Sequence, residues 1–245
     1  MTDAEPRQER LLLIDGNAYV WRAFHAIPPR FRPDGLQVNA LYGFVAHLLK
    51  RMVVHGRASH AAVVFDHDGP SFRHSLYPLY KANRPPRPEA LTRQLPLVRE
   101  AAGAFSVPWI ERAGYEADDL IAAYARAACA EGLKVSIVSA DKDLMQLVDD
   151  AAGVSMFDPW KGQVIREAEV VAKFGVPPAL VTDVQALAGD SVDGVPGVTG
   201  IGVKTAAELI AAYGSLEALL ARVDEVRQPK RRARLTDEAD RARLS

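Results

Sequence analysis

Nine acidic residues fall at the ends of apolar runs or on turns along the chain: Asp15, Asp66, Glu116, Asp118, Asp119, Asp141, Asp143, Asp190 and Asp193. Glu116 and Asp119 are three positions apart and share a helical face, with Asp118 beside them; Asp190 and Asp193 repeat that spacing. Asp141 and Asp143 point the same way if the chain there is extended. One such pair is ordinary at a turn, or in a first helical turn where the dipole favours acids. Four clusters on one predicted rim are a different matter, because gathered carboxylates repel. Two like charges about 4 Å apart cost about 1 kcal/mol in water and about 4 kcal/mol at the effective dielectric near a protein surface. Divalent cations relieve that repulsion, and all-oxygen ligation selects hard ions such as Mg²⁺ or Mn²⁺. A metal-assisted reaction is therefore the expected chemistry. No Ser–His–Asp or Cys–His arrangement competes with it, and His25, His67 and His74 near these motifs have no compulsory role.

A second element is rich in glycine: Gly194-Val195-Pro196-Gly197-Val198-Thr199-Gly200-Ile201-Gly202-Val203-Lys204-Thr205-Ala206-Ala207. Residues 197–207 fit a helix–hairpin–helix, a tight loop with glycines at positive φ followed by a helix starting near Gly202. Free N–H groups at such a start hold a phosphate, and Lys204 adds charge. Contacts of this kind address the backbone of a nucleic acid and carry no sequence information. The G-x-x-x-x-G-K-[ST] spacing of a nucleotide phosphate loop is not met, and no strand precedes the segment.

These residues need a scaffold. Arg10–Ile14 (RLLLI), Ala61–Phe65, Val107–Ile110 and Leu133–Val138 are short apolar runs that read as buried parallel strands. Between them lie helical segments at Ala18–Ala26, Val38–Val54 (Leu41, Phe44, Val45, Leu48, Leu49 and Met52 on one face), Leu91–Phe105 and Glu116–Glu131; Phe72–Leu79 is weakly helical. Val154–Phe157 and Gln163–Ile165 suit a hairpin, and Ala168–Phe174 and Pro178–Ala188 suit helices. The segment Asn83–Pro88 (NRPPRP) cannot be regular structure. Alternating strands and helices predict an α/β fold, a mainly parallel central sheet with helices on both faces, followed from about residue 177 by an all-helical part. In such sheets ligands bind outside the carboxyl ends of the strands, where Asp15, Asp66, Asp141 and Asp143 fall.

Composition sets the outer limits. The 245 residues carry a formal charge of −1, with 49% apolar and 25% charged residues, so no global basicity announces a partner. Cations cluster locally: Arg73, Lys81, Arg84, Arg87 and Arg93 against Glu89 alone, and Arg227, Lys230, Arg231, Arg232 and Arg234 without an acid. A solvated face is the plain reading of each run. Cys129 is the only cysteine, which excludes disulfides within the chain and suits a small core residue. No apolar stretch approaches the length of a membrane span and the charged N-terminus is unlike a signal peptide, so a reducing cytoplasm is the expected compartment.

Ile14-Asp15-Gly16, Val64-Phe65-Asp66, Pro70-Ser71-Phe72-Arg73-His74, Tyr80-Lys81-Ala82-Asn83-Arg84, Gly114-Tyr115-Glu116-Ala117-Asp118-Asp119, Ser139-Ala140-Asp141-Lys142-Asp143 and Gly189-Asp190-Ser191-Val192-Asp193 together resemble the 5′ nuclease (flap endonuclease) family. The likeness is strongest to the N-terminal 5′→3′ exonuclease domains of bacterial DNA polymerases and covers roughly residues 10–243. It implies a PIN-like 5′ nuclease core over residues 1–175, with a helical arch around 78–93. A helical DNA-binding part follows over 176–245, with the helix–hairpin–helix at 194–212. The implied activity is Mg²⁺-dependent two-metal hydrolysis of DNA phosphodiesters, exonucleolytic from 5′ ends or endonucleolytic at 5′ flaps, leaving 5′-phosphates in replication and repair. By the same resemblance, Asp15, Asp66, Glu116 and Asp118 ligate the more buried metal. Asp119, Asp141, Asp143, Asp190 and Asp193 ligate the second, directly or through water. Lys81 and Arg84 act on the scissile phosphate, and Arg22 and Arg73 are further DNA contacts. Gly197, Gly200, Gly202, Lys204 and Thr205 belong to the hairpin, which in the family also takes K⁺ on its carbonyls. Trp21 falls where relatives carry a base-stacking tyrosine, and a core tryptophan is the alternative. Implied partners are flap, nicked or other 5′-ended DNA, or an RNA–DNA hybrid, with the chain a monomer, off the membrane, and fused to or working with a DNA polymerase.

Two departures from the family pattern stand out. Gly194 occupies a position where Asn commonly follows the last acid, which removes a side chain that would support Asp193. The chain also stops at Ser245, inside the segment resembling the family's C-terminal helices, as expected either of a piece of a larger enzyme or of a short stand-alone nuclease. Rival readings are weaker. A haloacid-dehalogenase-like phosphatase needs a second Asp two residues after the first, and Asp15-Gly16-Asn17 lacks it. A topoisomerase-primase type domain shares the Asp141-Lys142-Asp143 pattern but not Asp15, Asp66 and Asp190. A DNA-binding module without chemistry is the non-catalytic alternative.

Overall fold

The computed structural model describes residues 9–54 and 58–245, the side chains of 50–54 excepted. The chain separates into two compact units. One comprises the described residues up to Ser71 with Pro86–Ile165; the other comprises Phe72–Pro85 with Arg166–Ser245.

The first unit is built on a six-stranded sheet. In chain order, β1 (Arg10–Asp15) leads into α1 (Gly16–Ala26) and then α2 (Asn39–Gly43), which runs on as a π-helical stretch over Phe44–Val54. β2 (His60–Val64) follows. After α3 (Phe72–Leu76), which belongs to the second unit, come α4 (Glu89–Thr92), α5 (Leu95–Ala104), β3 (Trp109–Ile110), α6 (Ala117–Ala130) and β4 (Lys134–Val138). A 3₁₀ turn over Asp143–Leu147 precedes β5 (Val154–Asp158) and β6 (Gln163–Ile165). The sheet order is β3-β2-β1-β4-β5-β6, parallel throughout except for the antiparallel pair β5–β6. The expected α/β fold is the observed one. Order reverses at β1, which lies between β2 and β4; this is the switch point at which open α/β sheets bind ligands.

Alternation along β1 explains the layers. Leu12 and Ile14 enter one core with Val20 and Ala23 of α1, Phe44, Leu48 and Leu49 of the π-helical stretch, and Leu95 and Val98 of α5. Leu13, fully buried, lies outside that cluster, and α6 packs on β1 and β4 through a face that buries Leu120, Ile121, Ala125 and Ala128. Each fully buried Val, Leu, Ile or Phe among them contributes about 1.5–3 kcal/mol of burial.

Two expected helices differ in form. The segment expected as one helix over Val38–Val54 tightens to α2 and then widens into π geometry; the side chain of Met52 lies outside the described residues. The segment expected over Leu91–Phe105 breaks into α4 and α5. Pro96 falls in the first turn of α5, where its ring could not follow a continuous preceding turn. At the break, the buried Gln94 turns its Oε1 to accept the Ala40 and Leu41 N–H groups (2.9 and 3.1 Å), satisfying donors at the start of α2.

The second unit is helical: α7 (Glu167–Phe174), α8 (Val181–Ala188), α9 (Val203–Tyr213), α10 (Leu216–Ala221), α11 (Pro229–Asp237) and α12 (Ala239–Leu244) join α3. α8 packs on α9 across the glycine-rich turn, with Val184, Leu187, Val198, Ile201, Ala206 and Ile210 buried. At that turn Gly197 has φ +59°, and a Cβ there would lie 2.4 Å from the Gly189 nitrogen, so backbone passes backbone at a distance only glycine permits. Among the described residues no single helix is long and apolar enough to cross a membrane.

Candidate functional site

The strand ends of the first unit gather the acids. Asp15 closes β1 and caps α1; its Oδ1 accepts the Ala18 N–H at 3.0 Å. Ile14 pairs with Val138, which sets Ser139 beside Asp15, and the Ser139 hydroxyl donates to Asp15 Oδ2 at 2.8 Å. That hydroxyl also accepts the Asp141 N–H (3.0 Å), and Asp141 Oδ1 accepts the Asp143 N–H (3.0 Å) at the head of the 3₁₀ turn. Beyond β2, Asp66 spans two helix starts. Its Oδ1 accepts the Ala117 N–H of α6 at 2.7 Å, and its Oδ2 accepts the Asn17 side-chain amide of α1 at 3.0 Å. Glu116, at the N-cap of α6, accepts the hydroxyl of the buried Ser71 at 3.1 Å. Its N–H donates to Asp119 at 2.9 Å, so Asp119 performs a capping task as well; Asp118 sits in the same first turn.

Asp15 is buried among like charges. Burial, with Asp66 and Asp141 nearby adding repulsion, outweighs its two hydrogen bonds and pushes its carboxyl up to about 7. Among the described residues, no three Asp, Glu, His or Cys side chains converge as a ready-made ion cage. Protein donors hold several of these carboxylates, and divalent cations would relieve the repulsion between them. One atom is left over. Asn17 Oδ1 is buried and has no hydrogen-bond partner, while the other end of the same amide holds Asp66. An unsatisfied buried acceptor beside carboxylates, in an all-oxygen set, fits a hydrated divalent cation. Asn17, Ser71 and Ser139 were not singled out from sequence; their signal is adjacency to the acidic motifs, which does not reveal which way an amide or hydroxyl turns.

Asp190 and Asp193 lie in the second unit. Asp190 Oδ1 accepts the Val192 N–H (2.8 Å), and the Asp190 and Val195 backbones pair. Asp193 receives the Arg84 guanidinium, lies 3.9 Å from Lys81 Nζ, and accepts the Lys81 N–H on its carbonyl at 2.7 Å. Lys81 has φ +55°, an uncommon conformation for a non-glycine residue, and its ammonium rests 4.9 Å from the Tyr80 ring centroid. Gly194, the departure from the family pattern, has φ +73°, and a Cβ there would meet the Leu79 carbonyl at 2.8 Å. Support for Asp193 thus comes from Lys81 and Arg84, and the glycine allows the close approach. Gly194→Ala is expected to lower stability by about 1–3 kcal/mol through forced φ and backbone contact; an unchanged denaturation midpoint would refute that account.

The remaining candidates are placed as follows. Trp21 is 43% exposed, against the His25 ring (4.7 Å), so it is not a core tryptophan. Arg22 lies over Trp160 (5.4 Å) and Arg73 over Phe72 (4.7 Å). His67 Nδ1 bonds the Gly69 N–H, a structural task. Gly200 is part of the turn, Gly202 is the N-cap of α9, and Lys204 and Thr205 stand in its first turn, with Lys204 exposed. The base of the hairpin is gripped from α11 and α12: Arg234 and Arg241 donate to its carbonyls and Glu238 accepts one of its N–H groups.

Residues 10–175 match the 5′-3′ exonuclease N-terminal resolvase-like domain, and residues 176–245 match the 5′-3′ exonuclease C-terminal SAM fold. A DNA polymerase I of Rhizobium leguminosarum is 48% identical over 97% of this chain, which spans 24% of that relative. A 5′-3′ exonuclease of Aquifex aeolicus is 38% identical over 93% of this chain and 78% of its own length. The chain thus spans about a quarter of the curated polymerase that it matches. The fold resembles that of a bacteriophage T5 5′-exonuclease with bound zinc: TM-score 0.83, 20% identity, 96% of this chain and 87% of that one. It also resembles a T5 flap endonuclease in a pseudo-enzyme–product complex with DNA and metal ions: TM-score 0.78, 21% identity, again 96% and 87%. The chain belongs to the 5′-3′ exonuclease family of nucleases.

Proposed function

We propose that this chain is a Mg²⁺- or Mn²⁺-dependent, structure-specific 5′→3′ exonuclease and 5′-flap endonuclease that hydrolyses DNA phosphodiesters and leaves 5′-phosphates in replication and repair. The observation that supports this most is the carboxylate group around Asp15 at the switch point of the sheet, with Asn17 Oδ1 left unsatisfied beside it. Divalent ions in such a site activate water and neutralise charge on the attacking and leaving oxygens of a phosphodiester. This chain's residues supply the rest. Asp15, Asp66, Glu116 and Asp118 would hold one ion, and Asp119, Asp141 and Asp143 would serve a second. Ser139 and Asn17 orient the carboxylates of Asp15 and Asp66, as outer partners of ligands commonly do. Asp193 sets Lys81 and Arg84, whose charges act on the phosphate under attack. The α9 start with Lys204 takes duplex phosphates without reading sequence. The exposed Trp21 ring offers a surface on which a base can stack. As in the polymerase relatives, the chain works fused to or beside a DNA polymerase.

The test is cleavage of a labelled 5′-flap duplex with Mg²⁺, with EDTA, and by Asp118→Ala. Cutting by the wild type with Mg²⁺ alone, and loss of at least ~10³-fold in the variant, is the expected result. A wild type that binds the flap and never cuts it would establish the non-catalytic binding module instead.

A further inference from the structure

The cations of the run beginning at Arg227 divide into two kinds. Arg232 donates from Nη1 to the Asp224 carbonyl at 3.1 Å and Arg234 from Nη1 to the Thr199 carbonyl at 2.7 Å, so both are tied to the backbone. Among the described residues, the side chains of Arg227, Lys230 and Arg231 have no hydrogen-bond or ion-pair partner, and the nearest acids along the chain, Glu225 and Asp237, pair with none of them. Arg227 and Lys230 are exposed and Arg231 is half-buried. Leu235, fully buried, fixes which way α11 faces. Lys230 stands four positions before Arg234, so it shares that face about 6 Å along the axis. The Arg234 guanidinium in turn fills the space that a Gly200 side chain would take. The open cations therefore continue directly from the glycine-rich turn.

Within the protein this placement is unfavourable. Pro229 opens α11, so Lys230 and Arg231 stand in its first turn, at the positive end of the helix dipole. That turn holds no acid, and the N-cap Gln228 makes no side-chain cap bond. Arg227 to Arg234 carries five cations and no acid in a chain whose formal charge is −1. Neighbouring like charges repel, and a face built only for solvation relieves that by mixing signs. A local rule broken without an internal gain points to a function. External negative charge set in a row relieves both the repulsion and the dipole clash. We propose that Arg227, Lys230 and Arg231 form a second contact for duplex DNA phosphates beside the glycine-rich turn, in addition to Lys204 and the start of α9. The contact acts through charge, so it reads no sequence and contributes to affinity rather than to the chemical step.

This rests on the reading that the unit binds duplex DNA. Binding of a labelled duplex, and of a single strand of the same length, is measured by fluorescence anisotropy in EDTA over a series of KCl concentrations, together with melting temperature. Arg227→Gln/Lys230→Gln/Arg231→Gln is expected to bind the duplex about tenfold more weakly at about 0.1 M salt and to lower the slope of log K against log salt by about 2–3. Its melting temperature is expected to equal or exceed that of wild type, because the cations removed are ones the helix dipole disfavours. Its single-turnover cleavage at saturating flap DNA is expected to stay within about twofold. Arg227→Lys/Arg231→Lys, which keeps the charges, is expected to keep the wild-type slope. A triple variant with wild-type affinity and slope overturns the inference, as does a loss confined to the single strand. Should the triple variant melt lower, Lys230→Gln alone must lower the slope by about 1, and an unchanged slope there overturns the inference as well. A wild type that binds no duplex defeats the duplex-binding reading and this inference together, whereas a wild type that binds with a slope the variants leave intact defeats the inference alone.

Discussion

Asp15→Asn is expected to reduce flap cleavage by at least ~10³-fold while making the protein without divalent ions more stable at pH 8. Both effects come from one carboxylate. It closes the central strand, is 3% exposed, and is pushed from 3.8 up to about 7, first by burial and then by Asp66 and Asp141. Between about pH 4 and 7 the folded chain therefore holds a proton at Asp15 that the unfolded chain has released. Stability from this group is complete below about pH 4 and is lost as pH rises through about 7; the displacement is worth about 4 kcal/mol at most. Asparagine keeps an acceptor for the Ala18 N–H and removes the charge. Relief of about 1–3 kcal/mol at pH 8, vanishing near pH 4, is the expected measurement by denaturant unfolding in EDTA. Divalent ions should raise the wild-type melting temperature and leave the variant's nearly unchanged, since binding to the folded state alone stabilises it. A variant that cuts within tenfold of wild type, or that is less stable at pH 8, would falsify the buried-charge account.

The second large effect is at Lys81. Lys81→Ala should slow the single-turnover cleavage step about 10²-fold, roughly 2.7 kcal/mol, and change the Kd for flap DNA less than about threefold. The positive φ of Lys81 and its N–H bond to the Asp193 carbonyl place the residue through its backbone, which alanine retains. Arg84 remains on Asp193 in the variant, so the carboxylate is not orphaned. Loss in the chemical step without loss of binding would separate charge on the reacting phosphate from general attraction to DNA, which appears in affinity and its salt dependence. An unchanged single-turnover rate would remove Lys81 from the mechanism.

Much of this could be read before any coordinates. The strands were legible because parallel, doubly covered strands are short apolar runs; β1 ends at Asp15, and Asp66 and Asp141 follow the ends of β2 and β4 within three residues. The helix after Gly202 was legible because its turn needs several glycines in a row of close spacing. The break between α4 and α5 was signalled by Pro96, but its other half was not: Gln94 bonds N–H groups more than fifty residues away. The π-helical stretch Phe44–Val54 left no mark on the periodicity.

The sequence by itself determined the kinds of element, the addresses of the acids at their ends and the family to which the chain belongs, because run length, period and terminal charge are local properties. Only the tertiary structure decided that β1 lies between β2 and β4, and so that Asp15 is the buried, repelled centre of the group. It likewise decided that Asn17 keeps an unsatisfied oxygen beside Asp66 and that Arg234 and Arg241 close on the hairpin. Strand order, burial and the direction of a polar side chain depend on neighbours distant in sequence, and no pattern along the chain encodes them.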